Sequence, residues 1–211
     1  MRTKDNWIDA LKDFFANGDC PQEMKGKYHP EILAFHLGIA IDYLVVKVLY
    51  PEASKFENWG MLDTYAKTYT NVEIKYDAER DEKYIDLPVQ PINLPANRGI
   101  RIVSTMKDQK NYRFIYRDNN TSNVYGNTDV DEVITIPRYY VEGDKLFFSR
   151  HIPYDLKKLL VKLIVPFDAL DYDDNVNVPQ GFGKLAFDLV VQSLSGRKLE
   201  KVSNDNNANI P

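Results

Sequence analysis

Three residues near position 30 have the side-chain types of a metal site. They are His29, Glu31 and His36, and the two histidines are seven residues apart. In the helical zinc motif of metalloproteases the two histidines are four residues apart, so that one turn brings both imidazoles to the ion. Because the spacing differs here, we predict a helix start and a core histidine, and no bound metal.

A second candidate is an acidic run that contains Asp171, Asp173 and Asp174. A calcium-binding loop of this type needs glycine at its sixth position and glutamate at its twelfth. Counted from Asp171, these positions hold Val176 and Phe182. We therefore predict an acidic surface turn rather than a calcium site.

Motifs for phosphate binding and for nucleophilic catalysis are incomplete. Residues 181–184 lack the first glycine and the final serine or threonine of a phosphate-binding loop. Ser195 lacks the flanking glycine of a nucleophile elbow, and Cys20 stands in a loop with no catalytic partner close in sequence. We predict that the protein is not an enzyme and needs no cofactor; a site assembled from distant residues stays open as an alternative.

Positive charges are concentrated in residues 98–117, where aromatic residues lie between them. This combination is typical of surfaces that bind nucleic acid. A hairpin with its arginines on the solvent-exposed face produces the same pattern, and both interpretations stay open. The basic residues are Arg98, Arg101, Lys107, Lys110, Arg113 and Arg117, and the aromatic residues are Tyr112, Phe114 and Tyr116.

The composition is that of an ordinary globular chain. It has 211 residues, 44% of them hydrophobic and 27% charged, which excludes a wholly disordered or collagen-like protein. The net charge of −4 disfavours a globally basic nucleic-acid binder. The single cysteine allows neither an internal disulfide nor a thiolate metal cluster within one chain.

Neither the N-terminal segment nor the long apolar run predicts export or membrane insertion. The first residues form an amphipathic stretch rather than the apolar segment of a secretory signal. The apolar run at residues 32–50 is about long enough to span a bilayer. Because His36, Asp42 and Lys47 lie inside it, and ionisable groups are costly at that depth, we predict a buried helix and no membrane contact.

Apolar residues at spacings of three and four predict helices at residues 5–16, 30–50 and 180–195. We expect Pro30 to start the second helix and Pro51 to end it, and Asp5 to cap the first. The second helix is apolar on two sides, so the rest of the chain or a neighbouring subunit must cover both. One stripe contains Ile32, Phe35, Ile39, Val46 and Leu49, and the other Leu33, Leu37, Ile41, Leu44 and Val48.

From residue 70 onward the apolar period changes to two, which predicts antiparallel hairpins. Residues 156–166 suit either a buried strand or a short helix, and residues 52–68 suit a short third helix. The segment 87–95 has three prolines, so it should run extended along a surface or another chain. Strands are expected at residues 70–76, 84–87, 99–106, 111–117, 133–141 and 145–150.

These elements predict the α+β class, because a run of helices is followed by a run of antiparallel strands. The predicted parts are a helical N-terminal part at residues 1–68, a β-hairpin-rich part with a C-terminal helix at residues 69–196, and a flexible tail or arm at residues 197–211. The tail is too polar to order alone, so we expect it to lie along another chain. The residues predicted to contact partners are Leu37, Ile39, Leu199, Val202 and Ile210.

The middle and C-terminal parts resemble structural proteins of short-tailed bacteriophages, most closely the neck-ring and head–tail connector (adaptor) proteins of crAss-like phages. The resemblance covers roughly residues 85–195. Four segments carry it: the hairpin that begins at residue 134, the apolar run 159–167, the acidic turn 171–174, and residues 178–182 leading into the last helix.

The resemblance implies a virion structural protein in the head–tail neck region, assembled in the host cytoplasm. It implies a homo-oligomeric ring of about twelve copies, in contact with the portal protein and with neighbouring neck or tail ring proteins. DNA would pass through the lumen without specific binding. No catalytic residue follows from the resemblance, and a small soluble enzyme or a monomeric binding module are the alternatives.

Overall fold

The structure is a computed structural model of the chain. It describes residues 2–17, 29–63, 65–106, 113–116, 137–148, 152, 156–176 and 181–195. Predictions made for the other residues, among them the tail, lie outside the described residues.

The first helix, α1 (Lys4–Asn17), begins one residue earlier than predicted. The Thr3 hydroxyl accepts the N–H of Asn6 at 3.2 Å, so Thr3 caps the helix and the prediction of Asp5 is wrong. The apolar side of α1 faces the core, as its spacing predicts. Its buried side chains are Trp7, Ile8, Leu11 and Phe15.

The second helical segment starts at Pro30 as predicted, but the prediction that Pro51 ends it is wrong. Pro51 has no N–H to donate, and in an α-helix its ring would clash with the carbonyl four residues earlier. A wider π-helical turn lies directly before it, and there the Tyr50 N–H bonds to the Val45 carbonyl, five residues back. The segment consists of α2 (Pro30–Leu44), the π-helical turn (Val45–Leu49) and α3 (Tyr50–Lys55).

Two further helices match predictions. The short helix α4 (Gly60–Asp63) lies within residues 52–68, and α5 (Phe182–Ser195) is the C-terminal helix. Helix α5 packs beside α2, and its Phe187 contacts the ring of Trp7 in α1. The C-terminal helix therefore packs with the N-terminal helices.

Strand β9 (Lys158–Leu163) is the centre of a three-stranded antiparallel sheet. Its neighbours are β2 (Lys67–Glu73) and β5 (Ile100–Thr105). The strand alternative for residues 156–166 is thus confirmed. Every second side chain of β9 is fully buried, as expected for a pleated strand. These are Leu159, Val161 and Leu163.

A second sheet has five strands in the order β3-β4-β8-β7-β6. The predicted hairpins β3–β4 and β7–β8 are confirmed as antiparallel pairs. Gly143 in the β7–β8 turn has φ of +62°, which glycine adopts at no steric cost. The strands are β3 (Lys75–Asp77), β4 (Glu82–Asp86), β6 (Ile115–Tyr116), β7 (Arg138–Glu142) and β8 (Lys145–Phe148).

The hairpin predicted between residues 99–106 and 111–117 forms only in part. Ser104 and Arg113 make a single antiparallel bridge, and the Phe114 N–H bonds to the Val103 carbonyl. The next residues, in β6, instead pair in parallel with β7 of the other sheet. This segment therefore links the two sheets.

In the proline segment, residues 87–95, no residue before Pro95 lies in a helix or a strand, as predicted. The expectation that it lies along another chain is wrong, because Leu87, Ile92 and Leu94 are buried in the core of its own chain. Its backbone approaches Gly99 so closely that a Cβ there would lie 2.3 Å from the Ile92 carbonyl oxygen. Only glycine fits at that position.

The helices and the antiparallel sheets confirm the α+β class. Buried residues from helices and strands form one connected hydrophobic core. A short pair that the sequence did not indicate, β1 (Arg2–Thr3) with β10 (Asn175–Val176), joins the N-terminus to the acidic turn.

Candidate interaction surface

One side of α2 is buried in the chain's own core. Leu37 is 0% exposed, so it contacts its own chain and is not accessible to a partner. This side corresponds to the second of the two stripes that the sequence indicates. Its buried members are Leu33, Leu37, Ile41 and Leu44.

The opposite side of α2 carries four large apolar side chains in solvent. Their spacings of three, four and four residues place them in one line along the helix. We call this line the α2 face. Val46 and Leu49, which continue the same stripe, are half-buried and buried. The exposed fractions are 46% for Ile32, 65% for Phe35, 53% for Ile39 and 44% for Tyr43. A contiguous apolar patch of this kind marks an interaction site, whereas scattered exposed apolar residues do not.

Elements of the same chain border the α2 face on both sides. On one side, Ser193 Oγ of α5 lies 2.9 Å from His36 Nδ1, and Leu185 of α5 adds a further apolar side chain that is 40% exposed. On the other side, the N–H of Phe167 donates to Asp42 Oδ1 at 3.0 Å. The face is therefore held in a fixed frame before any partner binds.

Asp42 is a largely buried carboxylate at the edge of the α2 face. Burial raises its pKa to about 6, the Phe167 N–H opposes this shift, and the charge of Asp168 adds to it. Burial and the Asp42 charge also raise the pKa of Tyr65, whose hydroxyl has no hydrogen-bond partner among the described residues. Ionisation of Asp42 therefore opposes folding.

The acidic turn is bound to lysines of the same chain. Lys67 Nζ pairs with the carboxylates of Asp171 and Asp174. Lys4 Nζ donates to the Leu170 carbonyl at 2.7 Å. Within the described ranges, no group of three or more His, Cys, Asp and Glu residues is placed to hold a metal ion. Ammonium groups thus occupy the position that a cation would take beside these aspartates.

The other motif residues within the described part of the chain have structural contacts. His29 Nδ1 accepts the N–H of Glu31 at 3.4 Å, as expected at a helix start. Gly183 lies against Trp7, where a Cβ would come within 2.8 Å of the indole ring. The Ser195 hydroxyl donates to a carbonyl within its own helix. Gly183 therefore allows the close packing of α5 on α1.

Arg101 has a structural role that the sequence did not indicate. Its side chain is 8% exposed, its Nε donates to Asp63 Oδ1 at 2.7 Å, and a second guanidinium nitrogen donates to the Trp59 carbonyl at 3.0 Å. The interpretation that places the arginines of residues 98–117 on a solvent-exposed face does not hold for Arg101. Arg98 stacks on the Trp59 ring at 4.2 Å. Arg101 in β5 and Arg98 just before β5 therefore connect this strand to the short helix α4 and to Trp59, which directly precedes α4.

The five residues predicted to contact partners lie in different places in the structure. Ile39 lies on the α2 face, Leu37 lies in the core, and Leu199, Val202 and Ile210 lie outside the described residues.

The helical segment Pro30–Lys55 is also long and apolar enough to cross a membrane, with a mean hydropathy of 2.0. The core helix of a soluble protein meets the same requirement, and 44% of the most apolar stretch is buried inside this chain. A lipid surface is therefore an alternative occupant of the α2 face that an experiment must distinguish.

The sequence matches no protein-family model, and no curated protein is similar to it. The geometry of the α2 face therefore carries the argument for a function.

Proposed function

We propose that this chain is a virion structural protein that forms an oligomeric ring in the head-to-tail connector of a short-tailed phage. The observation that carries the proposal is the α2 face, a preformed line of exposed apolar side chains on a helix whose other side is core. The likeness of residues 85–195 to phage connector proteins supports placing that ring in the head-to-tail connector.

A ring requires each copy to present two different surfaces. Contacts between like surfaces close into dimers, whereas head-to-tail contacts close into rings. The α2 face supplies one of the two surfaces. In the proposed particle the ring contains about twelve copies, contacts the portal and the neighbouring neck or tail rings, and lets DNA pass through its lumen. It assembles in the host cytoplasm and needs neither a membrane nor a cofactor.

The α2 face is too small to hold two copies together by itself. Burying a large apolar side chain completely contributes about 1.5–3 kcal/mol, so four side chains that are about half exposed contribute on the order of 3–6 kcal/mol. Association costs about 4–15 kcal/mol in lost translational and rotational freedom. The partner must therefore bring further contacts beyond these four residues.

Negative-stain electron microscopy of the purified protein, with and without a portal, tests the proposal. We expect closed rings, alone or on the portal. The Ile39→Asp variant should remain folded and form no rings, because the new carboxylate is desolvated in the contact.

Ile115→Asp is the matched control, since Ile115 is the same residue type and is 49% exposed on β6, away from α2. This control should form rings like the wild type. Particles that remain single copies under all these conditions would contradict the proposal and favour a monomeric binding module or an enzyme.

A further inference from the structure

The end of the described chain lies beside the beginning of the α2 face. Ser193, near the end of α5, contacts His36 near the start of α2. The start of α5 lies at the other end: Gly183 contacts Trp7, and Lys4, one turn before Trp7, lies over the ring of Phe167, whose N–H binds Asp42. Helix α5 therefore runs antiparallel to α2.

The direction of α5 fixes the point at which the tail begins. At Ser195, the last described residue, α5 runs from the Tyr43 end of the α2 face toward the Ile32 end. To cover the α2 face of its own copy, the tail would have to reverse direction after Ser195. A neighbouring copy placed beyond the Ile32 end receives the tail without any reversal.

The tail is long enough to cover a whole α2 face on a neighbour. From Ile32 to Tyr43 the helix rises by about 17 Å, at 1.5 Å per residue. Residues 197–211, fully extended, span up to about 50 Å. The difference leaves several residues to cross the gap between copies.

The chemistry of the tail matches that of the α2 face. Three apolar side chains, Leu199, Val202 and Ile210, can supply the additional buried area that the face alone lacks. The tail begins with Arg197 and Lys198, and the exposed end of the α2 face carries the Glu31 carboxylate, whose side chain is 88% exposed.

We propose that the α2 face of each copy binds the C-terminal tail, residues 197–211, of a neighbouring copy. This inference rests on the proposed function and deepens it, because it names the two unlike surfaces that a ring needs. The tail is the donor and the α2 face is the receptor, so each copy binds one neighbour with each.

Two full-length variants separate donor from receptor. The receptor-deficient variant, Ile39→Asp, keeps the tail. The donor-deficient variant carries Leu199→Asp, Val202→Asp and Ile210→Asp and keeps the face. Each alone should sediment as a single chain of 24.4 kDa. Mixed in equal amounts they should form a pair of one copy each, because the intact tail of one meets the intact face of the other.

A fluorescent peptide of residues 197–211 supplies a second readout that does not depend on ring formation. It should bind the donor-deficient variant, and adding Ile39→Asp to that variant should weaken binding by about tenfold or more. Adding Ile115→Asp instead should leave binding unchanged.

Each other occupant gives a different result, and each such result overturns the inference. If the donor-deficient variant still forms rings, the face binds something other than the tail, although the proposed function stands. If the peptide binds but the mixed variants stay single, each tail covers its own face. If the donor-deficient variant binds phosphatidylglycerol vesicles and not the peptide, the occupant is lipid. If the wild type is a single chain at every concentration, the proposed function and the inference both fail, because no neighbouring copy is bound.

Discussion

Removing the charge of Asp42 should stabilise the protein at neutral pH. Asp42 lies on α2 with its Oδ1 accepting the Phe167 N–H at 3.0 Å, and burial raises its pKa from 3.8 to about 6. Asparagine has an oxygen in the same place and keeps this hydrogen bond, but it cannot ionise. The substitution Asp42→Asn therefore removes only the cost of a buried negative charge.

The magnitude follows from the difference between the folded and unfolded pKa. A group with a raised folded pKa holds its proton longer in the folded state, so its contribution to stability is complete below the unfolded pKa of 3.8 and is lost as the pH rises through about 6. A shift of roughly two pKa units corresponds to about 3 kcal/mol. We therefore expect Asp42→Asn to raise the free energy of unfolding by about 2–3 kcal/mol at pH 7.5 and by almost nothing at pH 4.

Urea unfolding at pH 4, 5, 6 and 7.5 measures this difference. An Ile39→Gln background weakens self-association without placing a charge three residues from Asp42. Asp13→Asn serves as the control, because Asp13 is exposed on α1 and its charge does not contribute to the pKa shift of Asp42, so its effect should stay within about 0.5 kcal/mol. If the free-energy difference between the chains with and without Asp42→Asn stays constant from pH 4 to pH 7.5, the argument is refuted, because the Asp42 carboxylate would then have an ordinary pKa.

Four further substitutions test the packing. Leu37→Ala should cost about 2–5 kcal/mol in urea unfolding while Ile39→Ala changes stability by less than about 0.5 kcal/mol, and equal effects would contradict the division of α2 into a buried and an exposed side. Arg101→Ala should lower the free energy of unfolding by about 3 kcal/mol, because it leaves a half-buried carboxylate unpaired; a melting temperature within one degree of wild type would disprove this. Gly99→Ala should destabilise by about 1–3 kcal/mol or more through a clash with the Ile92 carbonyl, and unchanged thermal unfolding would show that the backbone can move apart.

Local rules predicted the start of α2 correctly but not the end of that helical segment. Pro30 starts α2 as expected because the first turn of a helix needs no proline N–H. Pro51 obeys the same chemistry, yet the helix continues to Lys55 because a π-helical turn makes room for the ring. That adjustment depends on how the helix packs and has no signal in the local sequence.

The sequence of β9 shows a second limit of prediction from periodicity. Leu, Val and Ile occupy most positions from 159 to 165, so period two and period 3.6 fit the run equally well. Pairing decides the matter, since β9 forms antiparallel ladders with β2 on one side and with β5 on the other, and only a strand can do so. The sequence alone left both options open for that reason.

The candidate surface could be predicted only in part. The two apolar stripes of α2 follow directly from the spacing, but both have similar composition, so nothing in the sequence shows which one the chain itself covers. Helix α5 and the turn at Phe167 pack against α2 and determine which stripe is covered, and both lie far from α2 in the sequence. The pairing of Arg101 with Asp63, 38 residues apart, is hidden for the same reason.

The most direct test of the account is the mass of the protein in solution at micromolar concentration, measured by sedimentation velocity for the wild type, Ile39→Asp and Ile115→Asp. The wild type and Ile115→Asp should form assemblies of many copies, whereas Ile39→Asp should sediment as a folded single chain of 24.4 kDa. Assemblies of equal size in all three would show that the α2 face does not hold copies together, and would contradict the account.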